Sequence, residues 1–210
     1  MFGFVLALAL KDRFRGKGAV LTVLLVPMML SPAVMGMFWN LILDPTYGIV
    51  NQALAAVHLP APNWSRDWKF VTIVLIDVWM WTPFMLLISL AALNSIPTYL
   101  YEAAEIDRAG RLTVFRRITL PMCAPLLLLG VLLRTTDALK QFDLVMATTG
   151  GNDAATQTLS ALMYQDMLAP GEVGRGGAYA CIVLVIVIAL ASLFTRYLAR
   201  MRRKQGEDQS

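Results

Sequence analysis

The run Val71–Leu93, VTIVLIDVWMWTPFMLLISLAAL, decides the fold class. It holds 23 residues and one ionisable group, Asp77. A helix crosses a hydrocarbon core with about 20 mostly apolar residues, so this run is long enough to span a membrane. The composition of the whole chain agrees. Of its 210 residues 58% are hydrophobic and 15% charged, and the mean hydropathy is +0.62. Soluble domains carry about 25% charged residues, so too few charges are present here to coat a water-facing surface.

Working outward from that run, three further full spans are read. They cover Ala19–Leu43, residues 122–146 and Ala178–Leu198. Pro27, Pro32, Pro83 and Pro125 fall inside spans; neighbouring helices can re-satisfy the backbone groups they free, and each is an expected kink. The first ten residues, MFGFVLALAL, make about 15 Å of helix, half of a core about 30 Å thick. They lack the basic flank and small-residue cleavage site of a signal peptide. They read as the last half of a span whose start is missing, with a short interfacial anchor as the alternative. The expected fold is an all-α, polytopic transmembrane helix bundle, a single domain over residues 1–210 and short at its N-terminus.

Lysine and arginine set the orientation, because short cytoplasmic loops carry the excess of both. Lys11, Arg13, Arg15 and Lys17 follow the first apolar stretch. Arg108, Arg111, Arg116 and Arg117 lie in the central loop, residues 94–121, and Arg200, Arg202, Arg203 and Lys204 in the tail. The intervening loops, 44–70 and 147–177, hold only Arg66, Lys69 and Arg175. Basic and non-basic loops alternate with the spans, which places the central loop and the C-terminus in the cytoplasm. The net charge of +4 follows from that topology and gives no argument for nucleic acid. Cys123 and Cys181 fall at opposite membrane faces, too far apart for a disulfide. His58 stands in an outer loop without a second ligand, and no metal site is expected.

The central loop contains EAAEIDRAGRLTVFRRITLP, Glu102–Pro121, with seven charged residues in a chain otherwise poor in them. It reads as helix, turn, helix. Ser95 or Asn94 is available as a cap and Pro97 sits where a missing N–H costs nothing. Tyr99, Ala103 and Ile106, with Leu100 and Ala104 adjacent, form a narrow apolar stripe flanked by Glu102, Glu105 and Asp107. After Gly110, the residues Leu112, Phe115 and Ile118 recur at helical spacing among Arg111, Arg116 and Arg117, and Pro121 marks the return to the membrane. A basic amphipathic helix would rest on anionic lipid, but three acids in the first helix oppose that. A protein groove accepting mixed charge fits better.

The same residues carry a resemblance. E-A-A, three residues, G, nine residues, I-x-L-P is the signature of permease subunits of binding-protein-dependent ABC importers. Glu102, Ala103, Ala104, Ile118, Leu120 and Pro121 match it in spacing, and Phe115 and Asp107 fit the form seen in sugar importers. LVPMMLSPAVMGMFWNLILDPTYGIVN, DVWMWTPFMLLISLAALNSIP, RTTDALKQFDLVMATTGG and GRGGAYA are similar to the maltose-type first permease, so the likeness covers nearly the whole chain. It implies that the loop forms coupling helices docking on a cytoplasmic ATPase. Glu102 would sit at that contact, Ala103 and Ala104 would let the helix seat closely, and Phe115, Ile118 and Leu120 would pack the second helix on the first. The motif glycine falls at Arg108. Glycine suits a helix end needing a left-handed residue, and arginine there costs roughly 1 kcal/mol or more. The expectation is a two-helix loop with Gly110 taking over the turn.

Polar groups within spans are functional candidates. Asp77, Arg134, Asp137, Lys140 and Gln141 qualify, and Arg134 and Asp137, three apart, share a face and can pair. Their alternative roles are packing, or a position already above the membrane core. Trp79 and Trp81 lie about 12–15 Å below the outer end of their span, too deep for an interfacial belt. Either can cover the C–H face of a sugar or simply pack. Trp39, Trp64 and Trp68 fit the belt.

The chain holds no G-x-x-x-x-G-K-[ST] loop, and RGKG at 15–18 lacks its spacing. No catalytic triad is visible, and this chain is not expected to be an enzyme or to bind a cofactor. The resemblance implies ATP-Mg on a partner subunit. The partners it implies are a second permease in a heterodimer, two cytoplasmic ATPase subunits, an extracytoplasmic solute-binding protein and membrane lipid. The location would be a bacterial or archaeal cytoplasmic membrane, the cargo a sugar or a related polyol or glycoside. A stand-alone secondary transporter or channel is the rival reading, though no internal repeat is evident; a non-transporting membrane anchor is the third. Relatives of this type begin with one further span, so the start is either misassigned or belongs to a shortened variant.

Overall fold

In a computed structural model the described residues are 2–12, 14–60, 62–64, 66–168 and 173–207, and among them no strand occurs. Arg13 lies outside them, as do the side chains of Arg200, Arg202, Arg203 and Lys204. The helices are α1 (Phe2–Ala9), α2 (Lys17–Leu25), α3 (Pro32–Ile42), α4 (Ile49–Ala56), α5 (Lys69–Asn94), α6 (Thr98–Ile106), α7 (Arg111–Val114), α8 (Leu120–Leu139), α9 (Asp143–Thr149), α10 (Leu159–Leu168) and α11 (Val173–Glu207). Among the described residues three unbroken stretches are long and apolar enough to cross a membrane: Lys69–Asn94, Arg111–Leu139 and Val173–Tyr197.

The 19–43 segment is not one straight span. Lys17–Met29 and Pro32–Ile42 meet at 98°. Val26–Met29 tighten into a 3₁₀ turn around Pro27, and Ser31 is extended, with ψ 134°. A residue before proline avoids the helical region, and Pro32 then opens α3 from its first turn, where no N–H is needed. The two prolines break the run where composition alone reads continuity.

The 122–146 segment also divides. α8 stops at Leu139, and α9 begins at Asp143. The carbonyl of Gln141, freed by the break, accepts a hydrogen bond from Thr158 Oγ1 at 2.8 Å. At its other end α8 is longer than expected. α7, a π-helical turn over Phe115–Thr119 and α8 run on without interruption, so Pro121 lies inside a helix and does not mark its start.

The chain forms two compact units. The first comprises Met1–Val26, Thr82–Thr136 and Ala189–Ser210. Its core gathers Ala7, Leu10, Leu86, Leu90, Ala92, Leu93, Ile96 and Cys123. α1 seats against α5 through Gly3: a Cβ there would meet the Leu86 backbone nitrogen at 2.7 Å. Between helices in lipid, such close contact replaces the hydrophobic drive that water supplies elsewhere.

The second unit comprises Pro27–Trp81 and Asp137–Ile188. Here α3 packs on α9. A Cβ on Gly36 would meet the Ala147 Cβ at 2.7 Å. One turn on, Asn40 Nδ2 donates to the carbonyls of Ala147 at 3.0 Å and Thr148 at 3.3 Å. Those carbonyls belong to the last turn of α9, which has no helical donors left for them. The loop after α4 is tied by Trp64 Nε1 donating to Asn51 Oδ1 at 2.8 Å and Thr72 Oγ1 donating to Trp64 O at 3.1 Å.

Candidate functional site

The central loop is built on α6 and α7. Neither Ser95 nor Asn94 caps α6: Ser95 Oγ bonds back to Ala92 O at 2.8 Å, and Pro97, extended at ψ 136°, is itself the N-cap. α6 has two apolar faces. Leu100 packs on the core and Ala104 is buried, whereas Tyr99, Ala103 and Ile106 point outward. Ile106 is 82% exposed. The stripe read from sequence as one surface is therefore an inner seam and an outer face.

α6 ends in a Schellman turn. Ala109 N–H donates to Ala104 O at 2.9 Å, and Arg108 N–H donates to Glu105 O at 3.0 Å. The left-handed residue that this motif requires is Arg108, with φ 51°. Gly110 does not take over the turn. It is extended, with φ −64° and ψ 151°, because it serves as the N-cap of α7. The arginine itself occupies the glycine's conformation and keeps both helices in place.

Beyond the turn, Phe115 reaches toward α1. Its ring stacks on Phe4 of α1 with centroids 6.2 Å apart. Ile118 joins the core, and Leu120 is 40% exposed. The tie between the two helices is Tyr101 OH to Thr119 Oγ1, 3.2 Å, with Thr119 buried. A π turn adds a residue to the helical repeat there, and Leu120 N–H reaches back to Phe115 O. Arg116 and Arg117 remain exposed while Ile118 and Thr119 turn inward.

Glu102, Glu105, Asp107, Arg108, Arg111, Arg116 and Arg117 are all exposed, and among the described residues none of the seven forms an ion pair. The outer face thus offers an apolar strip, Tyr99–Ala103–Ile106, bordered by uncommitted charge. Pro121 is also exposed.

In the second unit Gln141 Nε2 donates to Asp77 Oδ1 at 3.4 Å, and both line a cavity of about 300 Å³. Thr156, Gln157 and Thr158 complete its polar wall, and Phe70, Ile73 and Val74 its apolar one. These loop residues carry no periodic signal and escaped the sequence reading. Asp137, expected beside Arg134, has Lys140 as its partner, Oδ1 to Nζ 3.8 Å. Arg134 belongs to the first unit. Trp79 meets Trp39 edge-on, with centroids 5.5 Å apart and planes at 77°. Trp81 is half-buried.

A helical chain with several stretches long and apolar enough to cross a membrane has the build of a polytopic helical membrane protein. The family described as "Binding-protein-dependent transport system inner membrane component" matches residues 1–204, and the chain belongs to it. It is 34% identical to the "Trehalose/maltose transport system permease protein MalF" of Thermococcus litoralis over 97% of its own length and 69% of that protein's. It is 33% identical to the "Sulfoquinovosyl glycerol transport system permease protein SmoG" of Agrobacterium fabrum over 83% of this chain and 58% of that protein. The chain therefore spans between 58% and 69% of the length of these relatives. A bacterial ABC transporter involved in importing the acidic polysaccharide alginate has a chain of the same fold. Its TM-score is 0.82 at 22% identity, over 95% of this chain and 72% of that one.

Proposed function

We propose that this chain is the permease subunit of an ATP-driven importer for a sugar or related glycoside, and that Thr98–Pro121 is where a separate ATPase docks. The outer face of α6 carries this reading: Ile106 and Tyr99 are bare, Ala103 leaves room for close approach, and Glu102 stands uncommitted beside them. Burying such a strip in a protein groove is favourable by about 25 cal/mol per Å² of apolar area. Glu102 is the group positioned to meet a basic residue on the partner.

The basic loops support a cytoplasmic position for this face and the C-terminus. The relatives' substrates, among them trehalose, maltose and a sulfoquinovosyl glycerol, support a carbohydrate cargo. The cavity beside Asp77 and Gln141 supplies acceptors and donors suited to hydroxyl groups, next to an apolar wall suited to a sugar's C–H face. A second permease, two ATPase copies carrying ATP-Mg and an extracytoplasmic binding protein complete the assembly in this reading. Glu102→Lys should abolish co-purification of the ATPase and the uptake that depends on it; unchanged association and uptake would refute the assignment.

A further inference from the structure

The first unit contains a cavity of about 430 Å³ between the end of α1 and the central loop, distinct from the outer strip of α6. Leu8, Val114 and Phe115 form its apolar lining, and Lys11, Arg111, Tyr101 and Asp12 its polar one. Lys11 Nζ lies 3.9 Å above the Tyr101 ring, so the aromatic face holds the ammonium in place. Lys17 Nζ donates to Lys11 O at 3.1 Å, bringing a third cation to the same corner. Asp12 is the one acid among the lining residues. The cavity opens where α1 ends and α7 begins, beside the buried Tyr101–Thr119 tie.

We infer that this cavity holds the headgroup of an anionic membrane phospholipid. Its phosphate would meet Lys11 and Arg111, and its glycerol and upper acyl carbons would rest on Leu8, Val114 and Phe115. Two observations favour a lipid over a free anion. The walls are part apolar, which an inorganic ion does not reward. Lys11 follows directly on the apolar helix α1, as juxtamembrane basic residues that attract anionic lipid do. The occupant would touch α1, α6 and α7 together and brace the loop against the membrane. The inference rests on the cytoplasmic placement of the loop but not on the docking of an ATPase.

The test uses the full chain purified in mild detergent, with retained lipid read by native mass spectrometry. Phosphatidylglycerol should be retained over phosphatidylcholine, and the double variant Lys11→Gln/Arg111→Gln should weaken retention roughly twenty-five-fold, about fivefold for each basic residue. Arg66→Gln, in the opposite loop, should change nothing, and Lys11→Arg should keep binding. Equal retention of the two lipids, or an intact signal in the double variant, would overturn the inference. So would displacement of the lipid by inorganic phosphate alone, which would mark a simple anion site. Should the double variant fail to fold, the wild-type choice between the two lipids decides the matter. Loss of ATPase binding by Glu102→Lys, or its absence, leaves this readout unaffected.

Discussion

Ala109 donates its backbone N–H to the carbonyl of Ala104 at 2.9 Å, closing the turn that separates the two helices of the central loop. Arg108, between them in sequence, is held at φ 51° by that closure. An L-residue with a Cβ pays roughly 1–2 kcal/mol for this conformation, and glycine does not.

Arg108→Gly should therefore tighten the turn. The relief, about 1 kcal/mol at most after glycine's greater freedom in the unfolded chain, corresponds to roughly fivefold slower hydrogen exchange at the Ala109 amide. Faster exchange would show that the arginine side chain stabilises the turn in some other way.

The packing of α3 on α9 can be tested at Asn40. Its removal leaves the Ala147 and Thr148 carbonyls without a donor, so Asn40→Ala should cost about 1–2 kcal/mol in thermal unfolding of the purified chain. Gly36→Val should cost more, because its Cβ alone meets Ala147 at 2.7 Å. Equal stability of Gly36→Val and wild type would mean that the two helices do not approach as closely as seen.

Lys69 and Asp153 are hydrogen-bonded across 84 residues of sequence. The Lys69 ammonium, aided by the Ala155 N–H, holds the Asp153 carboxyl below its ordinary range. A carboxyl depressed in the folded state stabilises above its unfolded pKa, near 4, and that contribution is lost as pH falls through the lower folded value. Wild type should thus lose more stability than Asp153→Asn on acidification from about pH 5 to pH 3. Parallel loss in both proteins would assign no linkage to this pair.

What the sequence displayed was length and spacing. Val71–Leu93 reads as a crossing helix because its composition leaves no alternative, and α5 extends it by only two residues at its start and one at its end. Bends are another matter. The hydropathy of 19–43 is indifferent to Ser31 taking an extended conformation before Pro32, and 122–146 stays apolar enough to hide the break at Lys140–Phe142. The motif exposed Arg108 as the anomalous position, but its resolution was opposite to expectation, since Gly110 has to be extended to begin α7. Asp77 and Gln141 were visible singly. Their pairing across 64 residues, and the Thr156–Thr158 wall beside them, depend on tertiary folding that no local pattern encodes.

The claim that the outer face of α6 receives an ATPase is tested most directly by cross-linking from that face. In a Cys181→Ser background, with Cys123 buried, Ala103→Cys places a thiol in the exposed strip, and Gln52→Cys places one on exposed α4, in the segment expected on the opposite side, as a control. A short thiol-to-amine reagent applied to membranes should join Ala103→Cys, and not Gln52→Cys, to a polypeptide that binds ATP. Cross-linking of the ATP-binding polypeptide from Gln52→Cys, or from neither position, would contradict the account.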